Sequence, residues 1–67
     1  MPDYKVTLFI THQKLADGSW EKLPHGRLAE WYGSAESTAD ANIKAHNSLL
    51  DPTKRKGHMV YATQLGS

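Results

Sequence analysis

Four histidines and seven carboxylates are the side chains of this chain with catalytic or metal-binding chemistry to offer, and their spacing gathers none of them. A helical zinc site needs two ligands about four residues apart on one face, and His12, His25, His46 and His58 supply no such pair. Asp3, Glu21 and Glu30 meet as a carboxylate pair only through tertiary contact. Gly18-Ser19 and Gly33-Ser34 lie outside the Gly-x-Ser-x-Gly context that exposes a serine nucleophile. Neither the phosphate cradle Gly-x-x-x-x-Gly-Lys nor the dinucleotide pattern Gly-x-Gly-x-x-Gly occurs. His46 reads as a packed histidine hydrogen-bonded to a neighbour such as Asn42, and His25, between Pro24 and Gly26, as a turn residue. The expectation is a protein that is not an enzyme and that uses neither cofactor nor metal.

Recognition is the chemistry that remains. Phe9, Trp31 and Tyr32 are large aromatic side chains suited to anchor a partner, and Lys54-Arg55-Lys56 is a basic run suited to its rim. Arg55 stands out within that run because its planar fork makes bidentate contacts.

A chain of 67 residues is read as one small domain, 1–67, able to bury only about 60% of the surface its unfolded form exposes. Without cysteine it has no disulfide and no thiolate ligand, so self-association is one route to added stability. The lack of cysteine also fits a reducing cytoplasm, which is the expected location. The longest apolar run, Leu8 to Ile10, is far too short to span a bilayer, and no contact with membrane is expected. Net charge is +1, with residues 1–40 at −2 and residues 41–67 at +3, so any electrostatic role is expected near Lys54-Arg55-Lys56. Gly66-Ser67 are left out of the functional reading.

Positioning these residues requires a scaffold. Tyr4, Val6, Leu8 and Ile10 alternate with Lys5, Thr7, Phe9 and Thr11, the period of a strand with one buried face. Asp17-Gly18 predicts a tight turn and Pro24-His25-Gly26 a second one. Trp20 to Leu23 extends the hairpin, and Arg27 to Gly33 returns as strand 2, with Trp31 and Tyr32 on opposite faces; a short helix there is the alternative. Ser34 to Leu50 reads as an alanine-rich amphipathic helix. Ala35, Ala39, Ile43, Leu49 and Leu50 share an arc of roughly 120° with Asn42, and His46 stands at its centre. Ser34 or Ser37 caps this helix, Ser37-x-x-Asp40 resembling a capping box, and Asp51-Pro52 ends it. Lys54 to Gly57 is expected as a loop and His58 to Leu65 as strand 3.

The predicted fold is therefore α+β, a small three-stranded sheet (β-β-α-β) with one helix packed on one face. If strand 3 lies beside strand 1, strands 2 and 3 run parallel and the helix is their crossover. The other face is expected to stay open and to carry Lys5, Thr7, Phe9 and Thr11, with Trp31 or Tyr32 and Met59 or Tyr61 from its neighbours, unless the segment 14–26 folds back over it. At the level of fold analogy alone, such a domain is similar to the small proteins with which phages and mobile elements block host machines. The leading expectation is a protein-binding module acting as an inhibitor or modulator of a larger protein. Its alternative is a small nucleic-acid-binding domain in which the same aromatics stack bases and the basic run holds the backbone. A homodimer that buries the open face is the third.

Overall fold

Every second side chain of the first strand is withdrawn from water. In the computed structural model, which describes residues 1–66, Val6, Leu8 and Ile10 are fully buried and Tyr4 nearly so. Each of the three aliphatic side chains contributes about 1.5–3 kcal/mol on burial, which makes this row the main apolar asset of a domain this small. The strand is β1 (Asp3–Lys14), followed by β2 (Trp20–Ser34), helix α1 (Thr38–Leu49) and β3 (Arg55–Gln64). The sheet order is β2-β1-β3, and β1 is antiparallel to both neighbours. Consequently β2 and β3 are parallel and α1 is the crossover between them. The result is the expected small α+β domain. Among the described residues no helix is long and apolar enough to cross a membrane. Ser67 lies outside the described residues.

The chain reverses once in the first hairpin, at Leu15–Ser19, where the Asp17 carboxylate accepts the Ser19 N–H at 2.9 Å and its hydroxyl at 2.6 Å. Gly18 supplies the positive φ, +89°. The second turn expected at Pro24-His25-Gly26 does not form. These residues bulge out of a continuous β2: Ile10 pairs with Arg27 and His12 with Lys22, so Leu23 to Gly26 stand opposite Thr11 alone. Gly26, at φ +64°, absorbs the irregularity locally without reversing the chain. The helix alternative for Arg27 to Gly33 falls away, since Arg27 to Gly33 pair residue by residue with Ile10 to Tyr4.

The helix is shorter than expected and turned about its axis. Ser34 belongs to β2, and Ser37 is the N-cap, its hydroxyl accepting the Asp40 N–H at 3.1 Å. The Asp40 carboxylate in turn accepts the Glu36 N–H at 3.0 Å, one residue ahead of the usual capping-box partner. Buried against the sheet are Ala41 and Ala45, joined by Ala35 and Leu50 outside the helix. Ala45 and not His46 faces the core, a rotation of about 100°, or one residue. Ile43 is 60% exposed and Ala39 is exposed. The cause is size: alanines four apart let the helix backbone settle onto bulky Leu8 and Ile10, whereas the branched Ile43 would hold it away. His46 lies half-buried at the flank and donates its Nδ1–H to the Asn42 carbonyl oxygen at 2.9 Å.

The segment expected as a basic loop is largely strand. After a turn held by the Lys54 and Arg55 N–H groups on the Asp51 carbonyl, β3 begins at Arg55, so Arg55, Lys56 and Gly57 join the sheet. Gly57 is needed here, because a Cβ would fall 2.4 Å from the Phe9 carbonyl oxygen.

Candidate functional site

One helix covers one face of the sheet, and the strand register defines what the other presents. Partners across antiparallel strands point to the same side. Lys5 pairs with Tyr32 and Thr63, Thr7 with Glu30 and Tyr61, and Phe9 with Leu28 and His58. These nine residues form three rows on the face away from α1. At the centre Thr7 is buried beneath its neighbours, and its hydroxyl finds no partner among the described residues. Leu28, Tyr32 and Tyr61 are exposed to 63%, 59% and 47%.

Electrostatics on this face are neutral. Lys5 Nζ meets Glu30 Oε2 at 2.7 Å, diagonally across the two strands, and that hydrogen bond and charge raise the lysine's pKa above its ordinary value. The ring of Phe9 is half-buried, since the bulge brings Gly26 against it, and His58 packs beside it with ring centroids 5.7 Å apart. The segment expected to fold back thus covers Phe9 alone and leaves the rest of the face open.

The six residues singled out from the sequence do not converge. Phe9 and Tyr32 share the open face. Trp31, paired with Val6, lies on the helix side, packed on the core and across Gly33. Lys54 is in the turn before β3, and Arg55 reaches from the helix side to donate Nη1–H to the Leu49 carbonyl at 3.1 Å, where a cation favourably meets a helix C-terminus. Lys56 stands over Trp20, its Nζ 4.5 Å from the ring centroid. Leu28 and Glu30 complete the open face without having been named for it, and of the two β3 residues expected there it is Tyr61, paired with Thr7, and not Met59, paired with Leu8, that it carries. The alternation Leu28-Glu30-Tyr32 holds the signal, but only the pairing register assigns its side.

Among the described residues no three His, Asp or Glu side chains gather closely enough to hold a metal ion. The clearest concavity near the helix, about 340 Å³, is lined by His46, Asn47, Leu50, Pro52, Arg55 and Gly57 among others, and His46 there is engaged with a backbone carbonyl. No protein-family model, curated protein or solved structure matches this chain.

Proposed function

We propose that this chain is a non-enzymatic protein-binding module whose open sheet face is the contact surface. The observation that carries the reading is the charge state of that face. Its one lysine is neutralised by Glu30 at 2.7 Å while Leu28, Tyr32 and Tyr61 stand exposed around it. A nucleic-acid surface needs uncompensated cations for phosphate, and the three rows from Lys5 to Phe9 hold no lysine or arginine besides that paired one. Tyrosines and a leucine around a satisfied ion pair suit instead the dry centre of a protein contact, with the hydroxyls free to bond at its margin. Tyr32 and Leu28 take the anchoring role together with Phe9, while Trp31 supports the strand from behind. Such a module acts by occupying a surface of a larger protein, as an inhibitor or modulator. We place that action in the cytoplasm, a reducing setting in which a chain without cysteine loses nothing.

The test is capture from a lysate of the producing cells by tagged protein, with nuclease present, beside a Leu28→Ala, Tyr32→Ala variant. A protein retained by the wild type and lost with the variant supports the reading; retention by both, or a mass in solution showing only a dimer of this chain, removes it.

A further inference from the structure

Beyond the register shift at Thr11 the three strands run on as an arm towards the first hairpin, and its charge differs from that of the three rows of the open face. His12 pairs with Lys22 on one side and Lys56 on the other, and Lys14 pairs with Trp20. Lys56 Nζ lies 4.5 Å and Lys14 Nζ 5.7 Å from the Trp20 ring centroid, and Lys22, two residues along β2, shares the ring's side of the strand. Among the described residues none of these three lysines makes an ion pair. Glu21 alternates to the opposite side, and the Asp17 carboxylate is engaged by Ser19. Around the edge a groove of about 500 Å³ adds Lys54 and Arg55 beside Lys14. Three lysines therefore share one side of this end with the Trp20 ring, Lys54 lies beside them at the edge, and Arg55 is turned away to the Leu49 carbonyl.

We propose that this arm is a second binding site, for single-stranded nucleic acid, in which a base stacks on Trp20 and Lys14, Lys22 and Lys56 hold the flanking phosphates. The exchange is favourable in direction. Stacking a base on an exposed aromatic ring tightens binding about five- to a hundredfold, whereas the two exposed cation–π contacts given up are worth about two- to fivefold each. The displaced ammonium groups are not lost, because they turn to the phosphates on either side. A duplex keeps its bases paired and stacked and leaves the ring without a partner, and an acidic peptide would use the lysines but not the ring. The Trp20 cluster lies one row beyond Phe9 and His58, and the variants that test it leave Leu28 and Tyr32 unchanged, so the two proposals fail independently.

Fluorescence anisotropy of the full chain with a labelled oligothymidylate of about 12 nucleotides tests this directly. Trp20→Ala should weaken binding about five- to a hundredfold and Trp20→Phe should retain most of it, a contrast that loss of folding would not produce. Log affinity should fall with log salt at a slope of about −2, as expected for three lysine contacts to a single strand, and the slope should flatten in the Lys14→Ala, Lys22→Ala, Lys56→Ala variant. Three results would overturn the proposal: no binding at low salt, equal binding by Trp20→Ala, or a duplex or polyglutamate bound as tightly as the single strand.

Discussion

The ring of Phe9 lies directly on the backbone of Gly26: a Cβ at that glycine would fall 2.0 Å from Phe9 Cζ. One contact thus pins the β2 bulge to the central strand and covers the one aromatic that β1 presents on its open side. Gly26 also sits at φ +64°, a conformation side chains resist. Gly26→Ala should therefore cost about 1–3 kcal/mol through overpacking and backbone strain, read as a lower denaturation midpoint. An unchanged midpoint would mean that the ring moves aside freely.

Trp31 and Tyr32 are adjacent in sequence and opposite in role. Trp31 packs on the core, and a Cβ at Gly33 would strike its ring at 2.5 Å, whereas Tyr32 is 59% exposed. Trp31→Ala should lower unfolding stability by about 2–3 kcal/mol, somewhat less than the loss of a fully buried aromatic. Tyr32→Ala should stay within about 0.5 kcal/mol of wild type, as exposed substitutions do, while abolishing partner capture. Equal stability losses from the two would contradict the assignment of faces.

Ser37 holds the first turn of α1 through the Asp40 N–H. Ser37→Ala should cost about 1 kcal/mol and Ser37→Asp much less, because either oxygen can accept that hydrogen bond. Thermal unfolding followed by circular dichroism checks both, and a loss from the aspartate equal to that from alanine would contradict the capping role.

Three carboxylates set the acid limit of the fold. Asp17 is held below its usual 3.8 by the Ser19 hydroxyl and N–H, Asp40 by the Glu36 N–H and then Lys44, and Asp51 by the Thr53 hydroxyl and N–H. A carboxylate whose folded pKa lies below its unfolded value stabilises the fold above the unfolded value, and that contribution is lost as pH falls through the folded one. The melting temperature should hold down to about pH 5 and fall below about pH 4, and Asp51→Ala should lower it at neutral pH while shallowing the acid-side fall. A melting temperature that rises as pH drops through this range would contradict the sign.

The strands were legible where alternation was strict. In β1, large apolar and polar residues alternate from Tyr4 to Thr11 with Phe9 as the one exception, so its buried face follows from the residues themselves. In β2 both alternate sets are about equally apolar, so only pairing with β1 reveals that Trp31 faces the helix and Leu28, Glu30 and Tyr32 face away. The helix misled through hydrophobicity: Ile43 is more apolar than Ala45, yet close packing on Leu8 and Ile10 selects the smaller side chain. Gly26 signals a positive φ in the sequence but not whether the chain reverses or bulges there. The basic run was visible as charge, but its division among turn, helix side and arm depends on β3 beginning at Arg55.

The most direct test of the open face uses two neighbouring exposed residues of β2 on opposite sides, Leu28, paired with Phe9, and Arg27, paired with Ile10. A photo-cross-linking amino acid is placed at each in turn and irradiated in the producing cells. An open contact face at Leu28 gives a covalent adduct with one distinct protein from position 28 and none from position 27. An adduct from position 27 but not 28, or an adduct from position 28 to a second copy of this chain alone, would contradict it.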